Sequence, residues 1–246
     1  ITLFFFILIL LFLLIDKHLI VNFFISIISL YITITMVNLF TPLKIHGIEL
    51  KNRIVLPPMA TEKSTNEGKV TDELIDHYAE RAEDLGLMII EHSYVHPTGK
   101  LSQNQLGSYK DGLIPALTKL VEEVHKKETP AILQINHAGG KSNKEMIGQE
   151  SFSSSEDYFD DAVEMTKDDI TEIKNAFVKA AVRAEKAGFD GVEIHGAHGF
   201  LLGQFTSPLV NKRDDEYGGS LENRLRFPLE IVRAVMDKTE DIRILY

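Results

Sequence analysis

The feature that most constrains the fold is a regular alternation of short apolar runs and amphipathic helical segments that begins after Met36. Such alternation is typical of repeated βα units around a parallel sheet. Strands are predicted at residues 53–56, 87–91, 131–136, 191–195 and 242–246, and helices at 71–85, 113–127, 167–187 and 220–238. A hairpin at 43–50, turning at His46 and Gly47, is predicted to precede them.

Two architectures accommodate this rhythm, a doubly wound sheet and a barrel. No Gly-x-Gly-x-x-Gly sequence follows the first strand, so the dinucleotide fingerprint of a doubly wound domain is missing. Each strand is instead followed by its own polar cluster, as in barrels whose strand ends converge on one site. Eight βα units need about 250 residues, and only about four and a half units are present. We therefore expect an α/β fold, a partial TIM (β/α)8 barrel of about strands 1–5 after the hairpin, in an incomplete barrel domain at 36–246.

The composition narrows the class of partner. The formal net charge is −10, which argues against the basic surface that nucleic-acid binding requires. The chain has no cysteine, which excludes disulfides, thiolate metal sites and iron–sulfur clusters within it. We expect a cytoplasmic protein that binds a small-molecule substrate and no nucleic acid, and the composition leaves a homo-oligomer open.

Residues 1–35 differ from the rest of the chain. Two apolar blocks, 1–15 and 19–34, are separated by a charged break, and each is shorter than the ~20 residues of a membrane-spanning helix. The basic start and small-residue cleavage site of a signal peptide are also missing. The segment has no Gly, Ala, Pro or Arg and starts with Ile, which favours spurious translation of AT-rich DNA upstream of Met36. A membrane leader, and with it a membrane-anchored protein, is the alternative.

Polar side chains collect directly after the predicted strands. Clusters at 57–62, 91–94, 134–137 and 195–198 would face one cavity if the strands form a barrel. The set has no serine in a Gly-x-Ser-x-Gly turn, and it is rich in histidine and carboxamide groups. This pattern favours a site that holds a polar ring and polarises a carbonyl, with electron transfer left to a cofactor.

His195 and His198 could also form half of a metal site. No third or fourth ligand occurs at motif spacing, and the neighbouring glycines indicate close approach of a flat group, so no metal is predicted. For His92 and His137, a structural role and a ligand contact are both open. The other histidines are predicted to lie on the surface, namely His46, His77, His96 and His125.

Taken together, these segments resemble the old yellow enzyme family, the FMN-dependent ene-reductases and NADH:flavin oxidoreductases. The resemblance runs from about residue 39 to residue 246. It is carried by LFTP at 39–42, KNRIV at 51–55, the Pro-Pro-Met strand end at 57–59, Q-x-N-H-A-G at 134–139 and H-x-x-H-G at 195–199. The longest and most specific block is DEYGGS-x-ENR at 215–224.

The resemblance implies an eight-stranded barrel that carries non-covalent FMN over its strand ends. NADH or NADPH would reduce the FMN, which would pass hydride to an activated alkene of the enone or enoate type. The residues implied to contact the flavin are Pro57, Pro58, Met59, Ala60, His92 and Gln134, the last at the pyrimidine end of the ring. His195 and His198 would be the catalytic pair that binds the substrate carbonyl, with Glu62 as a further substrate contact. Two imidazole N–H donors aimed at one oxygen stabilise the negative charge that develops on it.

Three departures from the family pattern bear on the chemistry. Phe200 stands where the family often has a tyrosine proton donor, so either water or another residue such as Tyr94 supplies the proton, or the preferred acceptor differs. Ala60 and Glu62 stand where some relatives have Cys and Tyr. Gly140 replaces the arginine of the Ala-Gly-Arg turn after the third strand, which removes a cation.

The flavin phosphate is held in the family by glycine-rich loops after the last strands and by an arginine on the strand where this sequence stops. Backbone N–H groups of this kind are a major anchor for a phosphate, so weak or no FMN binding is expected of the chain as it stands. The predicted function is an FMN-dependent NAD(P)H oxidoreductase. The alternatives are a truncated, non-functional form that cannot hold FMN and a membrane-tethered reductase.

Overall fold

The computed structural model describes residues 25–27, 37–156 and 158–246. The chain divides into two compact units, 1–41 and 42–246. In the first unit, residues 25–27 are helical, and Asn38 and Thr41 exchange hydrogen bonds in a turn. The predicted apolar segment 1–35 lies outside the described residues apart from 25–27. Within the described residues, no helix is long and apolar enough to cross a membrane.

The second unit is built on a parallel sheet of five strands that lie side by side in chain order. They are β3 (Val55–Leu56), β4 (Leu87–Tyr94), β5 (Ala131–Asn136), β8 (Gly191–Ile194) and β9 (Arg243–Leu245). Each strand pairs in parallel with the next. A doubly wound sheet reverses its strand order at a switch point, whereas this order never reverses, so the sheet is a partial barrel.

Smaller elements flank the sheet. An antiparallel hairpin of β1 (Leu43–Ile45) and β2 (Ile48–Leu50) precedes it, with His46 and Gly47 at positive φ in the turn, as predicted. A two-stranded sheet of β6 (Ser151–Ser153) and β7 (Ala162–Glu164) lies in the loop after β5. A cavity of about 540 Å³ opens between the hairpin and the first residues of the strands, and none of the predicted site residues lines it.

Four helices follow the first four strands of the sheet and cover one of its faces. They are α1 (Asp72–Ala82), α2 (Ile114–His125), α4 (Lys167–Ala187) and α6 (Leu221–Met236), and two short helices, α3 (Lys144–Ile147) and α5 (Leu201–Thr206), lie in loops. Thr166 and Asp169 form a capping box at the start of α4, and Gly188 ends it in the left-handed conformation. These caps explain why the limits of α4 match the prediction at both ends.

The core lies between the sheet and these helices. Alternate strand residues such as Ile90, Leu133 and Val192 are fully buried against Leu117 and Phe177. Each such side chain contributes roughly 1.5–3 kcal/mol by leaving water. The opposite strand faces carry Glu91, Gln134 and Glu193, so the polar faces of the strands are kept for the barrel interior.

The main differences from the predicted elements are in β3, in β4, in the loop after β5 and in α5. β3 has two residues rather than four, and β4 continues beyond Glu91 to Tyr94 because it pairs with the whole of β5. The predicted loop from Gly139 to about Met165 contains a 3₁₀ turn at Gly139–Lys141, then α3, β6 and β7. Helix α5 was not predicted, because six residues are too few to show helical periodicity.

Candidate active site

The carboxyl ends of β4, β5 and β8 bring the predicted site residues together. Tyr94 pairs with Asn136, and Gln134 pairs with Glu193, so the polar ends of the three strands are in register. The rings of His92 and His195 lie 6.4 Å apart between centroids. The strand ends therefore meet at one edge, as the barrel prediction requires.

His195 and His198, which we call the histidine relay, are bonded to each other. The Ala197 N–H donates to His195 Nδ1 at 3.1 Å, so the proton of a neutral His195 ring is on Nε2. Nε2 is 3.1 Å from His198 Nδ1 and donates to it, which leaves the N–H of His198 Nε2 free. In this arrangement His195 donates to His198, and the Nε2 N–H of His198 has no hydrogen bond to a described residue.

The environment keeps His195 neutral. The ring is 6% exposed, and its pKa is lowered to about 4 by burial and, to a smaller extent, by the neighbouring His198 and His92. His198 is exposed and lies at φ 57°, with Gly199 also at positive φ. This tight left-handed turn brings the ring of His198 back over His195, at 5.0 Å between centroids.

His92 is held by two amides. Its Nδ1 accepts from Gln105 Nε2 at 3.1 Å and from Asn136 Nδ2 at 3.2 Å. The Leu101 N–H donates to the Gln105 carboxamide oxygen at 2.7 Å, which fixes the orientation of that amide. The His92 proton is therefore on Nε2, and burial lowers the pKa of the ring to about 4.

Phe200 forms an apolar floor under the histidines. It is 8% exposed, stacks on His92 at 5.8 Å and meets His195 edge-on at 5.0 Å. Tyr94, considered above as a proton donor, instead stacks on Tyr109 at 5.0 Å. Burial raises the pKa of Tyr94 strongly, which makes it a poor acid, and its contacts are with Tyr109, Gly68 and Gly107 rather than with the relay.

The loop after β3 is exposed, and a buried carboxyl anchors it. Pro57, Met59, Ala60 and Glu62 are exposed and Pro58 is half-buried. Glu91, 1% exposed in the middle of β4, accepts from the Thr61 N–H at 3.0 Å and from the Tyr78 hydroxyl at 3.1 Å. Burial raises the pKa of Glu91 despite these bonds. Glu62, the predicted substrate contact, follows at φ 54°.

Gln134 has the chemistry to bind the pyrimidine end of a flavin. Its Nε2 donates to Glu193, which leaves the carboxamide oxygen without a hydrogen bond to any described residue. The side chain is 6% exposed on the interior face of β5. A flavin pyrimidine ring presents an N–H donor, so the donors and acceptors fit. The exposed loop at 57–60 supplies a surface that a planar ring can cover.

His137 has a structural role, because both of its ring nitrogens are hydrogen-bonded within the protein. It is 1% exposed, accepts from the Gly139 N–H at Nδ1 and donates from Nε2 to Thr98 Oγ1 at 2.9 Å. Thr98 in turn donates to His96 Nδ1 at 2.8 Å, and His96 Nε2 lies 3.3 Å from Glu172. We call His137, Thr98 and His96 the buried histidine chain. His96 is half-buried and caps the next 3₁₀ turn, so it is less exposed than predicted.

Several residues of this region had no individual role in the sequence prediction, although Glu91 and Asn136 belong to the predicted polar clusters 91–94 and 134–137. Glu91, Gln105, Asn136, Glu193 and Lys141 all contact predicted site residues or the loops that carry them. Glu91 and Asn136 lie directly beside predicted residues on their strands, which was an available signal. Gln105 and Lys141 lie in loops whose course only the structure shows. Among the described residues, no group of three or more His, Asp or Glu side chains is arranged to hold a metal ion.

The sequence matches the NADH:flavin oxidoreductase / NADH oxidase family over residues 38–246. It is 44% identical over 205 residues to an NADPH dehydrogenase of Clostridium acetobutylicum, covering 81% of this chain and 60% of the relative. It is 42% identical over 209 residues to an NADPH dehydrogenase of Bacillus cytotoxicus, covering 82% and 60%.

Solved structures show the same likeness. Old Yellow Enzyme from Pichia sp. AKU4542 superposes with a TM-score of 0.80 at 37% identity, covering 85% of this chain and 59% of that one. Morphinone reductase superposes with a TM-score of 0.78 at 32% identity, covering 84% of this chain and 61% of that one. The chain spans about 60% of the length of the curated relatives it matches.

Proposed function

Because the chain belongs to the NADH:flavin oxidoreductase / NADH oxidase family, we propose that it is the part of an FMN-dependent reductase that binds the flavin ring and the acceptor. The reductant is NADH or NADPH, and the acceptor is an activated alkene whose double bond is conjugated to a carbonyl. When bound, FMN supplies the hydride chemistry that the side chains of the site lack. The observation that carries the proposal is the histidine relay, whose His195 ring lies 6.4 Å from the ring of His92 and which ends in the N–H of His198 Nε2.

The residues proposed to hold FMN lie in the loop after β3 and on the strands β4 and β5. Pro57, Pro58, Met59 and Ala60 would contact the ring through the exposed loop that Glu91 anchors. Gln134 would accept from the pyrimidine N–H, and the N–H of His92 Nε2 would donate beside the ring. Hydrogen bonds hold Gln134 and His92 in place before a ligand arrives, which lowers the entropic cost of binding.

The relay is proposed to bind the acceptor carbonyl. The N–H of His198 Nε2 donates to the oxygen, and His195 supports it by donating to His198 Nδ1, so negative charge on the oxygen polarises both rings. A hydride that arrives at the β-carbon leaves an enolate on this oxygen. Phe200 has no proton to give, so water delivers the proton to the α-carbon. Glu62 borders the same space as a proposed substrate contact.

The experiment that tests the proposal compares flavin content and acceptor kinetics. The protein is purified in the presence of FMN, its flavin absorbance is measured, and NADPH oxidation is followed with an enone. We expect His195→Ala and His198→Ala to lower kcat/KM for the enone about 100-fold, the size of effect seen when an oxyanion donor is removed. His46→Ala, a change in the hairpin turn, is the matched control.

Two results would count against the proposal. Flavin that is retained with unchanged enone kinetics in both relay variants would remove the role of the relay. A protein that takes up no flavin would favour the alternative of a non-functional form that cannot hold FMN. The cytoplasmic location and the homo-oligomer stay predictions, to be tested by cell fractionation and by sedimentation.

A further inference from the structure

The ammonium of Lys141 lies at the edge of the histidine relay. Its Nζ donates to the backbone oxygen of His198 at 2.7 Å and lies 5.6 Å from the centroid of the Phe200 ring. The ion pairs among the described residues engage the nearby Lys144, with Glu150 and Asp161, and do not include Lys141. Lys141 is exposed, so two of its three N–H donors are free to meet a ligand.

The position of Lys141 is set by a buried amide. Gln204, fully buried on α5, accepts from the Gly140 N–H at 3.0 Å and donates to Ala138 at 3.2 Å and to Gly199 at 2.9 Å. One carboxamide therefore ties the turn that carries Lys141 to the loop that carries the relay. The ammonium is placed beside His198 by the fold and not by a long flexible loop.

The neighbouring glycine explains why the cation is at this position. A Cβ on Gly140 would lie 2.3 Å from the ring of Phe159, so a side chain there would require that ring to move. The sequence comparison had indicated that a cation is lost at Gly140. The structure shows that the next residue, Lys141, supplies one on the side of the relay.

The charge of Lys141 matters because His195, the buried ring of the relay, is neutral. Burial keeps the pKa of His195 at about 4, so the ring carries no charge at neutral pH. Neutral N–H donors suffice for an enolate with a single negative charge. An α,β-unsaturated carboxylate is different: hydride at its β-carbon moves the alkene electron pair towards a group that is already anionic and forms an enediolate dianion. The single N–H that the relay presents compensates this charge poorly, and a nearby ammonium compensates it well.

We propose that Lys141 is a specificity-determining residue that binds the carboxylate of α,β-unsaturated carboxylate acceptors beside the histidine relay. The inference rests on the proposed function, and it specifies the class of acceptor that the reductase would use. The hydride comes from NADH or NADPH by way of the flavin, the α-carbon takes a proton from water, and the product is the saturated carboxylate. Lys141 stays protonated throughout.

The test compares an acid with its neutral ester. The FMN-loaded protein is assayed with (E)-cinnamate and methyl (E)-cinnamate, and the binding of hydrocinnamate, the saturated product, is measured by calorimetry. Lys141→Gln should weaken hydrocinnamate binding and lower kcat/KM for cinnamate about tenfold or more, because a charge-assisted hydrogen bond is lost. The value of kcat/KM for the ester should change less than twofold. Lys141→Arg should retain most of the wild-type preference for the acid over the ester. Lys144→Gln should behave like the wild type.

The outcomes separate the two proposals. Equal losses for acid and ester in Lys141→Gln would show that Lys141 only holds the His198 loop, and would overturn the inference while leaving the reductase function in place. Unchanged hydrocinnamate binding would overturn it as well. If neither acceptor is reduced, the proposed function fails, and the calorimetric comparison still decides whether Lys141 binds a carboxylate.

Discussion

The buried histidine chain and the histidine relay are built from the same parts and have different roles. Both start at the carboxyl end of a strand, and in both a backbone N–H fixes the tautomer of the first ring. In the buried chain every ring nitrogen has a protein partner, ending at Glu172. The relay ends in a free N–H on the exposed His198. A histidine is therefore a candidate for binding where its hydrogen-bond chain is left open.

The largest expected effect is on stability and separates the two groups directly. His137→Ala should lower the free energy of unfolding by about 3 kcal/mol, because it opens a cavity and leaves Thr98 and the Gly139 N–H unpaired in the core. His198→Ala should cost about 0.5 kcal/mol or less, since its ring is exposed. Urea unfolding of both variants measures the difference. Equal losses would mean that the relay is a structural element too.

The second expected effect is on the pH dependence of stability. Burial holds the pKa of folded His137 near 3, well below 6.5, so the folded state disfavours the proton. The neutral His137 therefore contributes its full share to the free energy of unfolding above pH 6.5. As the pH falls towards 3, the free energy of unfolding decreases by roughly 1–3 kcal/mol. Urea unfolding at pH 7 and pH 4.5 should show this loss in the wild type and a smaller loss in His137→Gln.

His125 provides the opposite control for that experiment. The hydrogen bond to Asp190 raises the pKa of His125. The stability that the protonated His125 contributes is therefore complete below pH 6.5 and is lost as the pH rises through its raised pKa. His125→Gln should therefore make the loss between pH 7 and pH 4.5 larger. A smaller loss in both variants would show that the sign assigned to one of these histidines is wrong.

The smallest expected effect sharpens the comparison within the buried chain. Thr98→Val removes the hydroxyl that joins His137 to His96 and should cost about 1–2 kcal/mol, because the His137 N–H is left buried without a partner. Thr98→Ser keeps the hydroxyl and should lose less than about 1 kcal/mol. Thermal unfolding of the two variants decides. A valine variant as stable as the serine variant would mean that packing, and not the hydroxyl, holds His137.

The elements that sequence reasoning predicted well have strong local signals. Helix α4 carries a capping box and a terminal glycine, and β5 begins with the apolar run Ala131–Leu133 directly after Pro130. Helix α5 and the small β6–β7 sheet were missed because they are short and depend on contacts with distant residues. Gln204 shows this well, since its three partners come from two other loops.

The sequence by itself determined the alternation of strands and helices, the family and the set of polar residues at the strand ends, because periodicity and motifs are local properties of the chain. Only the tertiary structure decided which histidines keep a ring N–H without a protein partner. His92, His137 and His195 occupy equivalent places at strand ends, and nothing in their local sequence states what lies across from each ring. Burial, the partner of each nitrogen and the position of Lys141 beside His198 depend on residues far apart in the chain. Long-range packing therefore determines which polar groups are satisfied within the protein and which are left to meet a ligand.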